Sequence, residues 1–185
     1  MLTFNEKYHE YKKDGIIIPS VTQLLQEAGI VPDMTFADPT LGNAVHRATS
    51  LDDKGELDPD YDCEPVMRRV EAWRVFKKLN KVDILVNEKP MYSKLGFCGT
   101  VDRIVDIKGK RGVIDIKTGK IRQKSTILQL LAYKRLAEEQ GHKIEFMYEV
   151  YLGDRGSYEI IFHKINDADW QIFLKILAIR NWRLK

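Results

Sequence analysis

Cysteine is scarce in this chain: Cys63 and Cys98 are the only two thiols in 185 residues. Two are too few for a disulfide scaffold or for a four-cysteine zinc or iron–sulfur site. No apolar run is long enough to cross a bilayer and no signal peptide is recognisable, so the expected compartment is a reducing cytoplasm. No Gly-x-x-x-x-Gly-Lys-[Ser/Thr] occurs, which excludes an ATP-driven motor of that type. Repeats and low-complexity tracts are missing as well. Charge of one sign is not in large surplus either. The net charge is +3 and the sequence pI about 8.7, values compatible with a nucleic-acid partner but not a demand for one.

What is present is an ordinary globular composition. At 44 % hydrophobic, residues 1–185 can close one domain around a substantial core. Leu2 to Tyr11 and Gly15 to Ile18 read as strands around a Lys12-Lys13-Asp14-Gly15 hairpin signal. Ser20 with Gln23 forms a capping box that starts a helix ending at Gly29, and 31–36 is a connection. A helix is expected over Pro39 to Leu51, then an acidic, turn-rich mobile loop over Asp52 to Asp62. Glu64 to Leu79 is amphipathic, with Val66, Val70, Trp73, Phe76 and Leu79 at helical spacing. A strand over 82–92 and a hairpin from Lys143 to His163 about Gly153-Asp154-Arg155-Gly156 follow the same logic. Asp167 to Lys185 closes the chain as a helix, with Trp170, Phe173, Leu174, Leu177 and Trp182 facing inward at least in part.

The chemistry concentrates in the middle. Gly99-Thr100-Val101-Asp102 lies on a strand read from Phe97 to Ile107, and Asp115-Ile116-Lys117 lies on the returning strand Val113 to Lys117. The turn between them is read as Gly109-Lys110-Arg111-Gly112. Successive strand side chains alternate, so Asp115 and Lys117 share one face while Ile114 and Ile116 take the other. Asp102 on the partner strand can converge with them. Magnesium and manganese are hard cations that take carboxylate oxygen, so Asp102, Asp115 and the Ile116 carbonyl are candidate metal ligands. Lys117 could orient or deprotonate an attacking water and offset charge on a pentavalent phosphorus.

An isolated Asp-x-Lys is common on the wet face of a hairpin. Here the downstream helix, Ser125 to Gln140 with Ser125 as N-cap and Gly141 as C′, adds to it. Gln129 and Tyr133 stack on one face of that helix, where an amide and a phenol could bond a phosphate or stack on a base. Lys108, Lys110, Arg111, Lys117, Lys120, Arg122 and Lys124 form a basic rim expected to hold phosphates. Glu88, on the preceding strand, is either a further acid of the site or an exposed residue beside Lys89.

Asp102, Asp115-Ile116-Lys117-Thr118-Gly119 and Gln129-x-x-x-Tyr133 together resemble the PD-(D/E)xK nuclease superfamily in its RecB-like exonuclease branch. Leu41-Gly42-Asn43-Ala44-Val45-His46 is similar to the segment that carries a metal-binding histidine there, and Pro19-Ser20-Val21-Thr22 is similar to its N-terminal start. The four-cysteine iron–sulfur variant of that branch is excluded by the cysteine count. The resemblance implies an α/β, restriction-endonuclease-like core with a mixed central β-sheet flanked by helices. It implies His46 as a metal ligand, and an imidazole among carboxylates shifts preference toward Mn2+ over Mg2+. It further implies hydrolysis of linear or single-stranded DNA, from an end, in recombination, repair or phage DNA processing. The chain would then be bacterial or phage-encoded, with a homo-oligomer or a recombination partner as further expectations. An endonuclease of the same superfamily and a non-catalytic DNA- or protein-binding relative are the alternatives.

Overall fold

Strands buried on both faces need cover on both. In β5 (Phe97–Ile107) and β6 (Lys110–Lys117) the successive pairs Ile104/Val105 and Val113/Ile114 are all fully buried. The computed structural model, which describes residues 2–5, 10–31, 40–119 and 125–184, supplies that cover from helices on either side of a five-stranded sheet. Its order is β4 (Val82–Ser93), β5, β6, β7 (Phe146–Leu152), β8 (Tyr158–His163). Neighbours are antiparallel except β6 and β7, which run parallel. A parallel pair needs a crossover, and α4 (Thr126–Glu139) is that crossover. This is a mixed α/β fold with a central mixed sheet flanked by helices, the class expected from the sequence.

One helical layer combines α4 with α1 (Val21–Glu27) and α5 (Asp167–Arg183); Leu24, Leu130 and Phe173 pack there against Ile104 and Val113. The other is α2 (Thr40–Lys54) and α3 (Glu64–Asn80), where Val45, Val70 and Trp73 meet Val105, Ile114 and Ile116. The alternation inferred for Asp115-Ile116-Lys117 therefore sends the isoleucines toward α3 and the polar pair away from it.

Several local readings hold. Ser20 Oγ accepts from Gln23 N at 3.1 Å while Ser20 N donates to Gln23 Oε1 at 2.9 Å, so the capping box is complete. The Phe97–Ile107 strand matches its expected bounds. Others need correction. The N-terminal segment forms three antiparallel strands, β1 (Leu2–Asn5), β2 (Glu10–Lys13) and β3 (Ile16–Ile18), where two were expected. This small sheet docks through Tyr11, whose hydroxyl lies 2.8 Å from Thr100 Oγ1, and through Cys98 N donating to Pro19 O. Helix α2 runs on to Lys54, so Asp52 and Asp53 are helical; they pair with Lys77 and Arg74 of α3 instead of joining a mobile loop. Ser125 does occupy the N-cap position of α4, but with helical torsions and no side-chain cap bond. Leu79 and Trp182, placed on inward stripes by spacing, are exposed near the C-terminal ends of their helices.

The turn of the β5–β6 hairpin is Lys108-Gly109, both at positive φ, tighter than the four-residue turn expected. Gly112 is a strand residue: a Cβ there would lie 2.0 Å from Phe146 Cε2. Most of the expected 31–36 connection lies outside the described residues. No helix among the described residues is long and apolar enough to cross a membrane.

Candidate metal centre

Sheet register assembles the centre. Asn87 faces Arg103 and Lys89 faces Val101, so Glu88 lies across from Asp102 on β5. The β5–β6 ladder stops at Arg103 and Ile114, one step short of Asp102 and Asp115, and Asp115 pairs with Glu149 on β7. Four carboxylates thus form a row across four adjacent strands. Where the ladder stops, Asp102 Oδ2 takes the place of a backbone acceptor and receives Ile116 N at 2.9 Å.

Helix α2 brings His46 to one end of the row. Its Nδ1 is 3.4 Å from Glu88 Oε1 and 3.5 Å from Asp102 Oδ2. One ligand atom from each of His46, Glu88 and Asp102 falls within 4.8 Å of the others. Beside this group, Lys117 Nζ sits 2.6 Å from Asp115 Oδ2. Of the expected ligands, His46 and Asp102 join the tight group directly, while Asp115 holds the lysine and Ile116 offers its amide to Asp102.

The electrostatics describe a place short of positive charge. Burial, reinforced by the Glu88 charge, pushes the Asp102 carboxyl above the usual carboxylate range despite His46 and the Ile116 amide. Burial, with Asp102 adding to it, likewise pushes Asp115 up to about 6 against the pull of Lys117. Desolvation would lower the His46 imidazole, but Asp102 and Glu88 outweigh it and hold it up at about 9. Lys117 behaves similarly: burial lowers it, and Asp115 more than compensates. Acids reluctant to ionise beside cations reluctant to release protons are what a carboxylate cluster shows when a cation would be welcome. Two carboxylates and an imidazole also form a donor set that divalent metals accept. The residues fit a divalent ion.

Gln129 and Tyr133 lie on α4 as expected, and Gln129 Nε2 donates to Tyr133 Oη at 3.0 Å. Tyr133 is buried, and desolvation together with Asp102 and Asp115 raises its phenol well above the ordinary value, so it is a neutral hydroxyl. Gly99 makes room for it: a Cβ on Gly99 would sit 2.8 Å from Tyr133 Cε1. The expected phosphate-binding Lys120 and Arg122, with Lys124, lie outside the described residues. Lys108, Lys110 and Arg111 do not rim the centre. They occupy the far end of the hairpin, and at about 3.3 Å per strand residue Arg111 is about 13 Å along β6 from Asp115.

Sequence reasoning left Glu88 undecided and passed over Arg103 and Asp53. Glu88 has φ +45°, the left-handed region that a glutamate rarely enters. The Arg103 side chain is 0 % exposed and that of Asp53 1 %, with Arg103 Nε on Asp53 Oδ2 at 2.6 Å. The advance signal was that Asp102-Arg103 puts a charge on each face of a strand whose flanking residues Val101, Ile104 and Val105 are apolar.

No protein-family model matches the chain, and no curated protein matches it in sequence. Among solved structures it is similar to one named "Putative exonuclease" from Eubacterium rectale, at 12 % identity and a TM-score of 0.50, over 87 % of this chain and 71 % of that one. A second structure, SSO0001, aligns over 86 % of this chain and 83 % of its own at 16 % identity and a TM-score of 0.37. At such identities the likeness concerns the fold, which is nuclease-like.

Proposed function

We propose that this chain is a metal-dependent DNA nuclease of the PD-(D/E)xK type, RecB-like in its motifs, hydrolysing phosphodiester bonds with Mg2+ or Mn2+ and acting from DNA ends. The observation that carries the reading is the meeting of His46, Glu88 and Asp102 donor atoms within 4.8 Å, next to the Asp115–Lys117 pair. His46, Asp102 and Asp115 are the proposed ligands, with Glu88 added to them and the Ile116 carbonyl retained. The bound ion would supply Lewis-acid polarisation of the scissile phosphate and a more acidic water.

The protein's own groups do the rest. Lys117, kept protonated by Asp115, orients the water and offsets the charge that builds on the phosphoryl oxygens. Tyr133, neutral and tied to Gln129, offers a hydroxyl to the DNA backbone. Lys120 and Arg122 are proposed as phosphate contacts on the segment preceding α4. The family assignment, the single-domain extent over 1–185 and the preference for ends rest on the motif resemblance.

The deciding experiment incubates the purified protein with end-labelled linear DNA, with and without manganese, beside Asp115→Ala and Lys117→Ala. Metal-dependent cleavage by the wild type, lost in Asp115→Ala and reduced by about 10²- to 10³-fold in Lys117→Ala, is the expected result. Equal activity in the variants, or a gel shift without cleavage in any metal, would overturn it. Closed circular DNA separates end-dependent action from endonuclease action.

A further inference from the structure

Arg103 is the largest charged side chain fully buried among the described residues, and its contacts converge on the candidate metal centre from behind. Nη1 donates to Glu88 Oε1 at 3.0 Å and to the Asp102 carbonyl at 2.7 Å, so one nitrogen ties the carboxylate of one ligand to the backbone of the next. Nε is fixed by Asp53 at 2.6 Å, and Nη2 donates to Thr49 Oγ1 at 3.2 Å. Thr49 in turn donates to the His46 carbonyl at 3.0 Å. The guanidinium also lies over the Trp73 ring, 5.6 Å from its centroid. All three nitrogens of one rigid fork are thus engaged, Nη1 twice.

Glu88 needs such an anchor. A non-glycine residue at φ +45° persists only where its surroundings over-determine it, and such strain gathers at functional sites. On the register side, Asn87 Nδ2 donates to Ser50 O at 2.9 Å, which pins the adjoining residue to α2. On the side-chain side, the fixed partners of Glu88 are His46 and Arg103.

We propose that Arg103 is the positioning residue that holds the Glu88 carboxylate at its distance from Asp102 and His46, and that it thereby sets the affinity of the centre for a divalent cation. The inference rests on the metal-centre reading above. A lysine keeps the charge but lacks the planar fork, so it cannot hold Asp53, Thr49 and Glu88 at once. A buried guanidinium is also costly to retain, and a packed apolar residue would fill the place more cheaply unless the fork had a task.

The test is a double-mutant cycle read on manganese binding, not on cleavage, by counting free Mn2+ by electron paramagnetic resonance during titration of the intact chain. Partners that orient metal ligands typically contribute 10- to 100-fold in affinity, so Arg103→Lys is expected to weaken Mn2+ binding by about that factor. In a Glu88→Gln background the same change is expected to cost less than about 3-fold, because the group it positions is gone. Asp53→Asn, which loosens the fork without touching a donor, supplies a second cycle should Arg103→Lys fold poorly; it is expected to weaken binding about 3-fold, again only when Glu88 is present. Equal losses with and without Glu88, or unchanged affinity in Arg103→Lys, would overturn the positioning role while leaving the metal centre standing. A wild-type chain that binds no manganese would overturn both.

Discussion

Lys117 Nζ lies 2.6 Å from Asp115 Oδ2, although the two residues are separated in sequence by Ile116, which points to the opposite side of the sheet. The pair is a direct product of strand alternation. It places an ammonium beside the carboxylate row without making it a ligand. Lys117→Ala is therefore expected to retain manganese binding while lowering the cleavage rate by about 10²- to 10³-fold, the usual scale for a lost electrostatic donor. Titration calorimetry with Mn2+ and a single-turnover assay on linear DNA measure the two separately. A variant that loses both together would mean that Lys117 holds the centre together instead of serving the reaction.

The same charges give the metal-free chain a characteristic pH response. His46 titrates at about 9 in the folded protein against an ordinary 6.5. A group raised in this way stabilises the fold fully below 6.5 and loses that contribution as pH rises through about 9. Asp115, raised from 3.8 to about 6, acts in the same direction over its own window, favouring the fold below 3.8 and ceasing to do so as it is forced to ionise. Urea midpoints measured in chelator should therefore fall between pH 6.5 and 9, and His46→Gln should flatten that fall. Metal must displace the imidazole proton, so manganese should stabilise the chain more at the upper end of this range than at the lower. A midpoint that rises with pH in chelator would contradict the charge balance described for the centre.

How legible the centre was depends on how far each residue's placement is local. Asp115 and Lys117 could be assigned to one face because a period of two needs only neighbours. The Ser20 capping box needs only three residues, and it too was readable. Glu88 was not, since its role depends on a left-handed torsion and on lying across from Asp102 in a register set elsewhere. Asp53 and Arg103 look like surface charges in the sequence; only the fold shows that each neutralises the other in the interior. The Lys108, Lys110 and Arg111 part of the expected basic rim failed for a geometric reason. Lys110 and Arg111 are close to Asp115 in number, but an extended strand converts a few residues into a long distance.

Tyr133 offers a sharper test of the substrate side. Its hydroxyl has Gln129 Nε2 as donor and sits near the Asp102 and Asp115 charges. Tyr133→Phe removes the oxygen but leaves the ring in the core, so thermal stability should change by less than about 1 kcal/mol. If the hydroxyl contacts DNA, cleavage efficiency should fall by about 3- to 10-fold, the scale of one hydrogen bond. Melting curves and kcat/KM on single-stranded DNA check both halves. Unchanged efficiency would make Tyr133 a packing residue.

Gly99 is the partner that makes Tyr133 possible. A methyl group there would lie 2.8 Å from Tyr133 Cε1 and 3.5 Å from Leu136 Cδ1, and both side chains are buried. Neither ring nor helix has room to retreat, because Ala132 and Leu136 are themselves fully packed on α4. Gly99→Ala should therefore destabilise the chain by about 1–3 kcal/mol through overpacking. It should also displace the phenol relative to Asp102. The second effect is separable: Gly99→Ala combined with Tyr133→Leu should recover much of the lost stability, since the smaller side chain gives back the space, while cleavage stays low because the hydroxyl is missing. Chemical denaturation of the single and double variants measures the recovery. Additive losses would show that Gly99 is required for some reason other than the ring it faces.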